Sequence, residues 1–397
     1  MLNNEFPPLG GGTGVVNRQL LIEFARRGDV WVDLITSAAG RGPMQVCQFS
    51  PRIRVFSLPL DVRNLHHATN AVLLRFAWLS YWLGRKLLQT LTYDASFAFA
   101  AVPAGAVSWA LKRSCNLPYL VSLHGADVPG FEARYAYLYP ALKPLVRRIW
   151  QDAAMVTSIS PVTSQLAQAT LPGLPIRVIP NGVDAQLFRP PDQPRRHCRF
   201  EVLCVGRLIE RKGQHHLLRA FARLRGSGVA AHLTLIGAGD AEAGLRRLAA
   251  ELRLERDVSF AGPVPHERVA RAYRQADVFV LASQNEGMSV AVLEAMASGL
   301  PVIVTPVAGA PGLVTDGREG CLVPWADVPA LAAALEMLAR DAVGRQRLGA
   351  AGRLVALRCA WPAIAQEYLE ACALVAGSAQ PIPVITRRSV LPSASAD

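Results

Sequence analysis

The sequence predicts an α/β chain of two domains, each a mostly parallel sheet between layers of helix. Three observations predict it. Strand-like apolar runs alternate with helical stretches along nearly the whole chain, the pattern of layered α/β folds. The length of 397 residues suffices for two domains of ordinary size. Between the halves lies RPPDQPRRHC, residues 189–198, a Pro-rich polar stretch with no period, which reads as a linker.

In the first half, short runs of β-branched and aliphatic residues mark strands at 30–36, 53–58, 96–101, 119–123, 155–158 and 176–179. In the second, the runs lie at 200–205, 231–236, 258–261, 278–281 and 301–304, with helices between them, for example at 214–224 and 241–252. The expected domains are residues 1–188 and 200–358, both Rossmann-like, joined by a linker over 189–199. Such domains leave a cleft between the carboxyl ends of their strands, where open α/β sheets bind ligands. Only MLNNEFPPL precedes the first glycines, so the first central strand is cut to a stub, and a compromised first sheet or an upstream start is expected. From 377 to 397 the breaker-rich sequence reads as a disordered tail.

Composition narrows the function. Half the residues are hydrophobic (51%) and 18% charged, which excludes general disorder. The seven cysteines form no CxxC pair and the eight histidines no HExxH or Cys/His cluster. Reduced thiols in a cytoplasmic protein, and no metal site, are expected. Of the net charge of +12, residues 1–198 carry the larger share, 20 Lys+Arg against 11 Asp+Glu. That asymmetry points to an anionic partner. No helix-turn-helix, zinc-finger or RNP signature accompanies it, so nucleic acid is not expected. The window 71–91, AVLLRFAWLSYWLGRKLLQTL, is interrupted by Arg75, Arg85 and Lys86 and is not a membrane span. It fits either a core helix with a basic edge or an amphipathic helix lying on an anionic membrane surface.

Several segments carry chemistry. Gly10, Gly11 and Gly12 open a loop, continued by Thr13 and Gly14, that leads into a helix whose N-terminus could meet an anion. Read from Gly12, it is not GxGxxG, because Asn17 stands sixth. After the strand at 200–205, Gly206-Arg207-Leu208-Ile209-Glu210-Arg211-Lys212 sets two cations, Arg207 and Lys212, five residues apart, suited to a diphosphate. A solvated charged turn fits the same spacing. Glu286 ends the loop after the strand at 278–281, and Glu294 lies on the helix that follows. If that helix starts near Ser289, its first N–H groups form an anion site, with Glu286 on a sugar and Glu294 on ribose hydroxyls. Ordinary helix-face acids fit as well. His124 and Asp127, in HGAD after the strand at 119–123, point toward the cleft, where a sugar contact is expected. Gly237-Ala238-Gly239 lacks the third glycine of a dinucleotide turn.

Taken together, these strings resemble glycosyltransferase family 4, the retaining group with the GT-B fold. The resemblance runs through PPLGGGTG at 7–14, HGAD at 124–127, Ser160-Pro161, PNGVD at 180–184 and VGRL…KG at 205–213. It continues through IGAGD at 236–240, FAG at 260–262, ADVFVLAS at 276–283, NEGMSVAVLEAMASGLPVI at 285–303 and DGREGCLVP at 316–324. The segment 359–376 resembles the family's helix that crosses back to the first domain.

The resemblance implies a nucleotide-sugar donor, UDP- or GDP-linked, and a glycan or lipid-linked acceptor, with no resident cofactor and no essential metal. It implies that Arg207 and Lys212 hold the donor diphosphate and that Glu286 contacts the donor sugar. Gly206 and the N–H groups of Gly287, Met288, Ser289 and Val290 would bind the donor, and Glu294 its ribose. His124 would lie beside the transferring sugar, and Gly10, Gly11 and Gly12 would approach acceptor and phosphates. Retention without a protein nucleophile is implied too, the leaving phosphate taking the acceptor's proton. The expected place is the cytoplasm, peripheral on the inner face of the membrane. One turn departs from the family pattern: GGxPE reads Ala308-Gly309-Ala310-Pro311-Gly312. That departure and the short start fit a catalytically weak sugar-nucleotide-binding or partner subunit. A sugar-nucleotide epimerase of the same fold is the other reading, opposed by VGRL…KG and NEG.

Overall fold

The computed structural model describes residues 1–9, 11–40, 42–60, 69–132, 136–193, 199–307 and 312–377. In chain order the first domain holds α1 (Gly12–Ala25), β1 (Val32–Ala38), β2 (Gln45–Ser50), β3 (Ile53–Pro59), α2 (Asn70–Thr90), β4 (Ser96–Phe99), α3 (Ala106–Cys115), β5 (Tyr119–Leu123), α4 (Tyr139–Asp152), β6 (Met155–Ser158), α5 (Pro161–Thr170) and β7 (Ile176–Val178). The second holds β8 (Phe200–Val205), α6 (Gln214–Gly226), β9 (Ala231–Ile236), α7 (Glu242–Glu251), β10 (Val258–Gly262), α8 (His266–Gln275), β11 (Val278–Leu281), α9 (Val290–Ala297), β12 (Val302–Val304), β13 (Gly320–Leu322), α10 (Val328–Arg340) and α11 (Ala342–Arg358). The last helix, α12 (Trp361–Val375), follows.

The first sheet is built from two blocks, β2-β3-β1 and β4-β5-β6-β7, parallel except for the β2–β3 hairpin. Residues 1–3 join them. Leu2 N–H donates to Phe97 O at 2.8 Å and Phe99 N–H to Leu2 O at 2.9 Å, while Ile35 N–H donates to Met1 O at 2.9 Å on the other side. Leu2 is buried between the blocks. The stub therefore does the central strand's work over a few residues, where the sequence suggests a compromised sheet.

The second sheet is all parallel, in the order β10-β9-β8-β11-β12-β13. The winding reverses between β8 and β11. That reversal opens a crevice beyond the carboxyl ends of the two strands, the standard ligand position of doubly wound sheets.

Helix α12 returns to the first domain, and its sequence shows why. Trp361, Ile364, Ala365, Tyr368 and Ala371 recur at helical spacing and are buried. They pack with Leu20, Leu21 and Phe24 of α1 and with Phe97 of β4. Tyr368 stacks on Phe97 at 5.1 Å, and its hydroxyl lies 3.1 Å from Ser122 Oγ. The crossing begins where Val183 N–H donates to Cys359 O at 2.8 Å and Trp361 N–H to Val183 O at 3.2 Å. A Cβ on Gly182 would come within 2.3 Å of Trp361 Cε3, so only glycine admits the indole there.

Helix α2 turns a narrow face inward: Phe76, Ser80 and Gly84, four residues apart, are buried. Gly84 brings the helix against α3, since a Cβ would lie 3.0 Å from Leu111 Cδ1. The outward face carries Leu74, Trp78 and Trp82, 73%, 63% and 48% exposed. Among the described residues no helix is long and apolar enough to cross a membrane.

Candidate active site

The crevice between β8 and β11 gathers the charged residues singled out above. After Gly206 the chain makes a short 3₁₀ turn, Glu210–Lys212, and ends it at Gly213 with φ +71°. A Cβ at Gly213 would stand 2.0 Å from Ala282 O and 2.8 Å from Trp325 Cζ3. Glycine thus lets the loop after β8 lie directly on the loop after β11, and Gln284 N–H donates to Arg211 O at 2.7 Å to fix it there. The consequence is an ion pair: Lys212 Nζ donates to Glu286 Oε1, which also accepts from Ser283 Oγ at 2.8 Å. Their side chains are only 12% and 15% exposed. Burial pushes the Glu286 carboxyl up, but the Lys212 ammonium and the two hydrogen bonds outweigh it and hold it below its ordinary value. Arg207 lies in the same loop, its carbonyl accepting from Gln214 Nε2 at 2.9 Å.

Gly237 and Gly239 serve the same layering. Their Cβ atoms would come within 2.0 Å of Gly206 O and 2.1 Å of Leu208 O, so this turn packs on backbone.

Glu294, on α9, is buried at 6% exposure with both oxygens engaged. Oε1 lies 2.9 Å from His266 Nε2 and Oε2 lies 3.1 Å from the Tyr273 hydroxyl. The hydrogen bond to Glu294 raises the His266 pKa against the opposing effect of burial. Ser289 occupies the N-cap position of α9, which begins at Val290. Met288 is buried toward the first domain, its carbonyl accepting from Asn181 Nδ2 at 3.0 Å.

From the first domain, His124 meets this crevice. A Cβ on Gly287 would come 2.7 Å from His124 O and 2.9 Å from Ile159 Cδ1. The His124 ring stacks on Phe99 at 5.2 Å, and its Nε2 is buried with no hydrogen-bond partner among the described residues. Burial lowers its pKa to about 4, so the imidazole is neutral at physiological pH. Asp127 holds the loop. Its Oδ1 accepts from His124 N–H and Gly125 N–H at 3.0 Å each, and its Oδ2 from Ala101 N–H at 2.9 Å. Where the sequence suggests a sugar contact, the carboxylate is spent on three backbone donors.

At the glycine loop, Gly10 lies outside the described residues. Gly11 N–H donates to Glu5 Oε2 at 3.1 Å, as does the Thr13 hydroxyl, and α1 begins at Gly12. A carboxylate of the chain itself therefore sits at this helix N-terminus. Of the turn that departs from the family pattern, residues 308–311 lie outside the described residues, and Gly312 adopts φ +102°, a conformation suited to glycine. The linker at 194–198, with Cys198, and the tail from 378 also lie outside them. Among the described residues there is no group of three or more His, Cys, Asp or Glu placed to hold a metal ion.

Known proteins resemble this chain. The sequence profile described as Glycosyltransferase Family 4 matches residues 10–187, and that described as Glycosyl transferases group 1 matches residues 199–341. A GDP-mannose-dependent alpha-(1-6)-phosphatidylinositol monomannoside mannosyltransferase of Mycolicibacterium smegmatis is 32% identical over 274 residues, 65% of this chain and 70% of that protein. The chain belongs to glycosyltransferase family 4. It is a nucleotide-sugar-dependent glycosyltransferase of GT-B fold. A putative colanic acid biosynthesis glycosyltransferase of Salmonella typhimurium, WcaL, is 34% identical over 60% of each chain. Sucrose-phosphate synthase from Thermosynechococcus elongatus superposes with a TM-score of 0.79 at 27% identity, covering 93% of this chain and 94% of its own. Anabaena HepE in complex with UDP and glucose shares the fold, with a TM-score of 0.71 at 19% identity over 94% and 98% of the chains.

In this transferase the crevice holds more than the sequence reading found. Glu132, Arg211 and His266 bear on it, while Glu5 caps the glycine loop of the first domain. Arg211 had a signal, standing next to Lys212. Glu132 and His266 are single residues in a loop and at a helix start, paired with partners remote in sequence.

Proposed function

We propose that this transferase moves a hexose from a nucleoside diphosphate donor to a lipid-linked or cell-surface glycan acceptor, with retention of configuration, at the inner face of the membrane. The observation that carries the reading is the buried Lys212–Glu286 pair at the reversal of the second sheet. There Lys212 and Arg207 neutralise charge that develops on the departing diphosphate, an electrostatic role suited to a crevice shielded from water. Glu286, kept ionised by Lys212, accepts hydrogen bonds from sugar hydroxyls. Glu294, held by His266 and Tyr273, accepts from ribose. Neither carboxylate stands free as a nucleophile, which favours retention through the leaving phosphate over a covalent enzyme intermediate.

GDP-mannose is the first donor to test. The relatives at 29–32% identity from Mycolicibacterium, Mycobacterium and Corynebacterium bear GDP-mannose-dependent names, and their named acceptors are phosphatidylinositol mannosides. Labelled GDP-mannose, UDP-glucose and UDP-N-acetylglucosamine, offered with a polar lipid extract, test the reading. Label from GDP-mannose passing into the lipid phase as the α-anomer is expected. An inverted product, or sugar conversion that needs no acceptor, would refute it.

The outward face of α2 supports the membrane position. Leu74, Trp78 and Trp82 form one stripe, and the Arg85 guanidinium lies 5.7 Å from the Trp82 ring centroid. Arg75 and Lys86 are exposed beside it, and the helix holds no acid. Aromatic rings at the headgroup level with cations on anionic lipid suit this surface. In co-sedimentation with vesicles containing anionic phospholipid, Trp78→Ala/Trp82→Ala should reduce bound protein about tenfold or more, and Arg85→Ala less. Equal sedimentation of all three proteins would remove α2 from the membrane.

A further inference from the structure

A second charged link crosses the cleft beside the donor site. Arg211, the residue before Lys212, places Nη2 3.3 Å from Glu132 Oε1. Glu132 belongs to the loop after β5 that starts at His124, and its side chain is only 8% exposed. Next to it, Asn285 Nδ2 donates to Phe131 O, so two loops of the second domain hold two adjacent residues of the first, one each.

Both ends of this link are anchored within their own domains. The loop is shaped by the Asp127 carboxylate and by Gly125, whose φ of +116° tucks it under the Phe131 ring, 2.7 Å from where a Cβ would stand. Glu132 N–H donates to the Tyr139 hydroxyl at 3.3 Å. On the other side, the bond from Gln284 N–H ties Arg211 to the loop that carries Glu286. The Arg211 charge also helps to keep Glu286 ionised. Charges thus alternate from the first domain into the donor loops: Glu132, then Arg211, Glu286 and Lys212 of the second domain.

We propose that Glu132 and Arg211 are positioning residues of the transfer reaction. Their ion pair draws the His124 loop onto the donor loops, closing the cleft over the reacting sugar and excluding water. Removing the Glu132 charge takes away the carboxylate that the Arg211 guanidinium meets on the first domain, so this link across the cleft is lost. This rests on the transferase reading and on the donor diphosphate lying at Lys212. The donor half alone would still bind nucleotide, so the link governs turnover rather than nucleotide affinity.

The test is Glu132→Gln in the full chain, with Glu132→Asp as the conservative variant. Calorimetry with GDP and UDP should give a Kd within about twofold of wild type, while kcat for transfer falls about tenfold. Donor hydrolysis relative to transfer should rise about tenfold, because water reaches the sugar. Glu132→Asp should recover most of both effects. Small-angle scattering should show nucleotide compacting the wild type but not Glu132→Gln. That arm reads the link even if no donor sugar is transferred, so failure of the transferase reading is seen separately. Wild-type kcat and hydrolysis ratio in Glu132→Gln would overturn the proposal. So would a folded Glu132→Gln that no longer binds nucleotide, which would assign the pair to the donor site itself.

Discussion

Lys212→Ala should lower turnover by about 10²–10³-fold, the loss seen when one preorganised group facing transition-state charge is removed. The same change leaves Glu286 buried without its cation, at a cost to stability of about 3–5 kcal/mol. The two effects separate in the double variant Lys212→Ala/Glu286→Gln. The neutral amide needs no counter-ion, so thermal stability should return while turnover stays low. The pH dependence has a definite sign. In the wild type the lowered Glu286 pKa adds stability above the ordinary carboxyl range, which is lost as pH falls through the folded value. In Lys212→Ala burial acts with less opposition, the pKa rises, and mild acid should stabilise the single variant relative to its neutral-pH state. Melting curves from pH 4 to 8 check the sign. Normal turnover in a folded Lys212→Ala protein would remove Lys212 from the chemistry.

Gly287→Ala should reduce transfer by about 10²-fold, the scale expected when reacting groups shift by an ångström. The new methyl would meet the His124 carbonyl and Ile159 Cδ1, 2.7 and 2.9 Å away, and a backbone carbonyl cannot swing aside. The clash is relieved only by parting the two domains at the reacting centre. Nucleotide affinity should fall much less than transfer, because the loop that carries Arg207 and Lys212 keeps its packing inside the second domain. Gly213→Ala offers the contrast: its methyl strikes Ala282 O inside the second domain at 2.0 Å, so nucleotide affinity itself should fall. Nucleotide Kd and transfer rate, measured for both variants, distinguish a cleft that cannot close from a donor site that cannot form. Equal losses of affinity in the two would contradict the placement of Gly287 at the domain contact.

Much of this was legible in the sequence, for physical reasons that also explain the gaps. β8, β9 and β11 are buried runs such as Phe200-Glu201-Val202-Leu203-Cys204-Val205, where period and composition agree. β2, Gln45–Ser50, is exposed for most of its length and has no such signature. β13 is only three residues, Gly320–Leu322, and Gly320 is required because a Cβ would stand 2.2 Å from Val302 O. The glycines at 237 and 239 show how one residue type carries two meanings. They fall short of a dinucleotide turn in the sequence, and in the fold they meet backbone.

At the site, Arg207, Lys212 and Glu286 could be found because loops after neighbouring strands converge by topology. Asp127 lies in one of these loops, and three backbone N–H groups donate to its oxygens, which nothing in the sequence signals. Glu294 gave no hint of His266 and Tyr273, which reach it from another helix. Glu5 and Glu132 are lone acids in loops, and only the folded chain reveals what they hold.

In the proposed function the donor diphosphate sits at the end of β8, against Arg207 and Lys212. A crystal structure with GDP or UDP tests it most directly. The predicted result is phosphate oxygens within about 3 Å of Lys212 Nζ and of the Arg207 guanidinium, a hydrogen-bonding distance. A diphosphate bound instead at the N-terminus of α1, with Lys212 still paired only to Glu286, would contradict it.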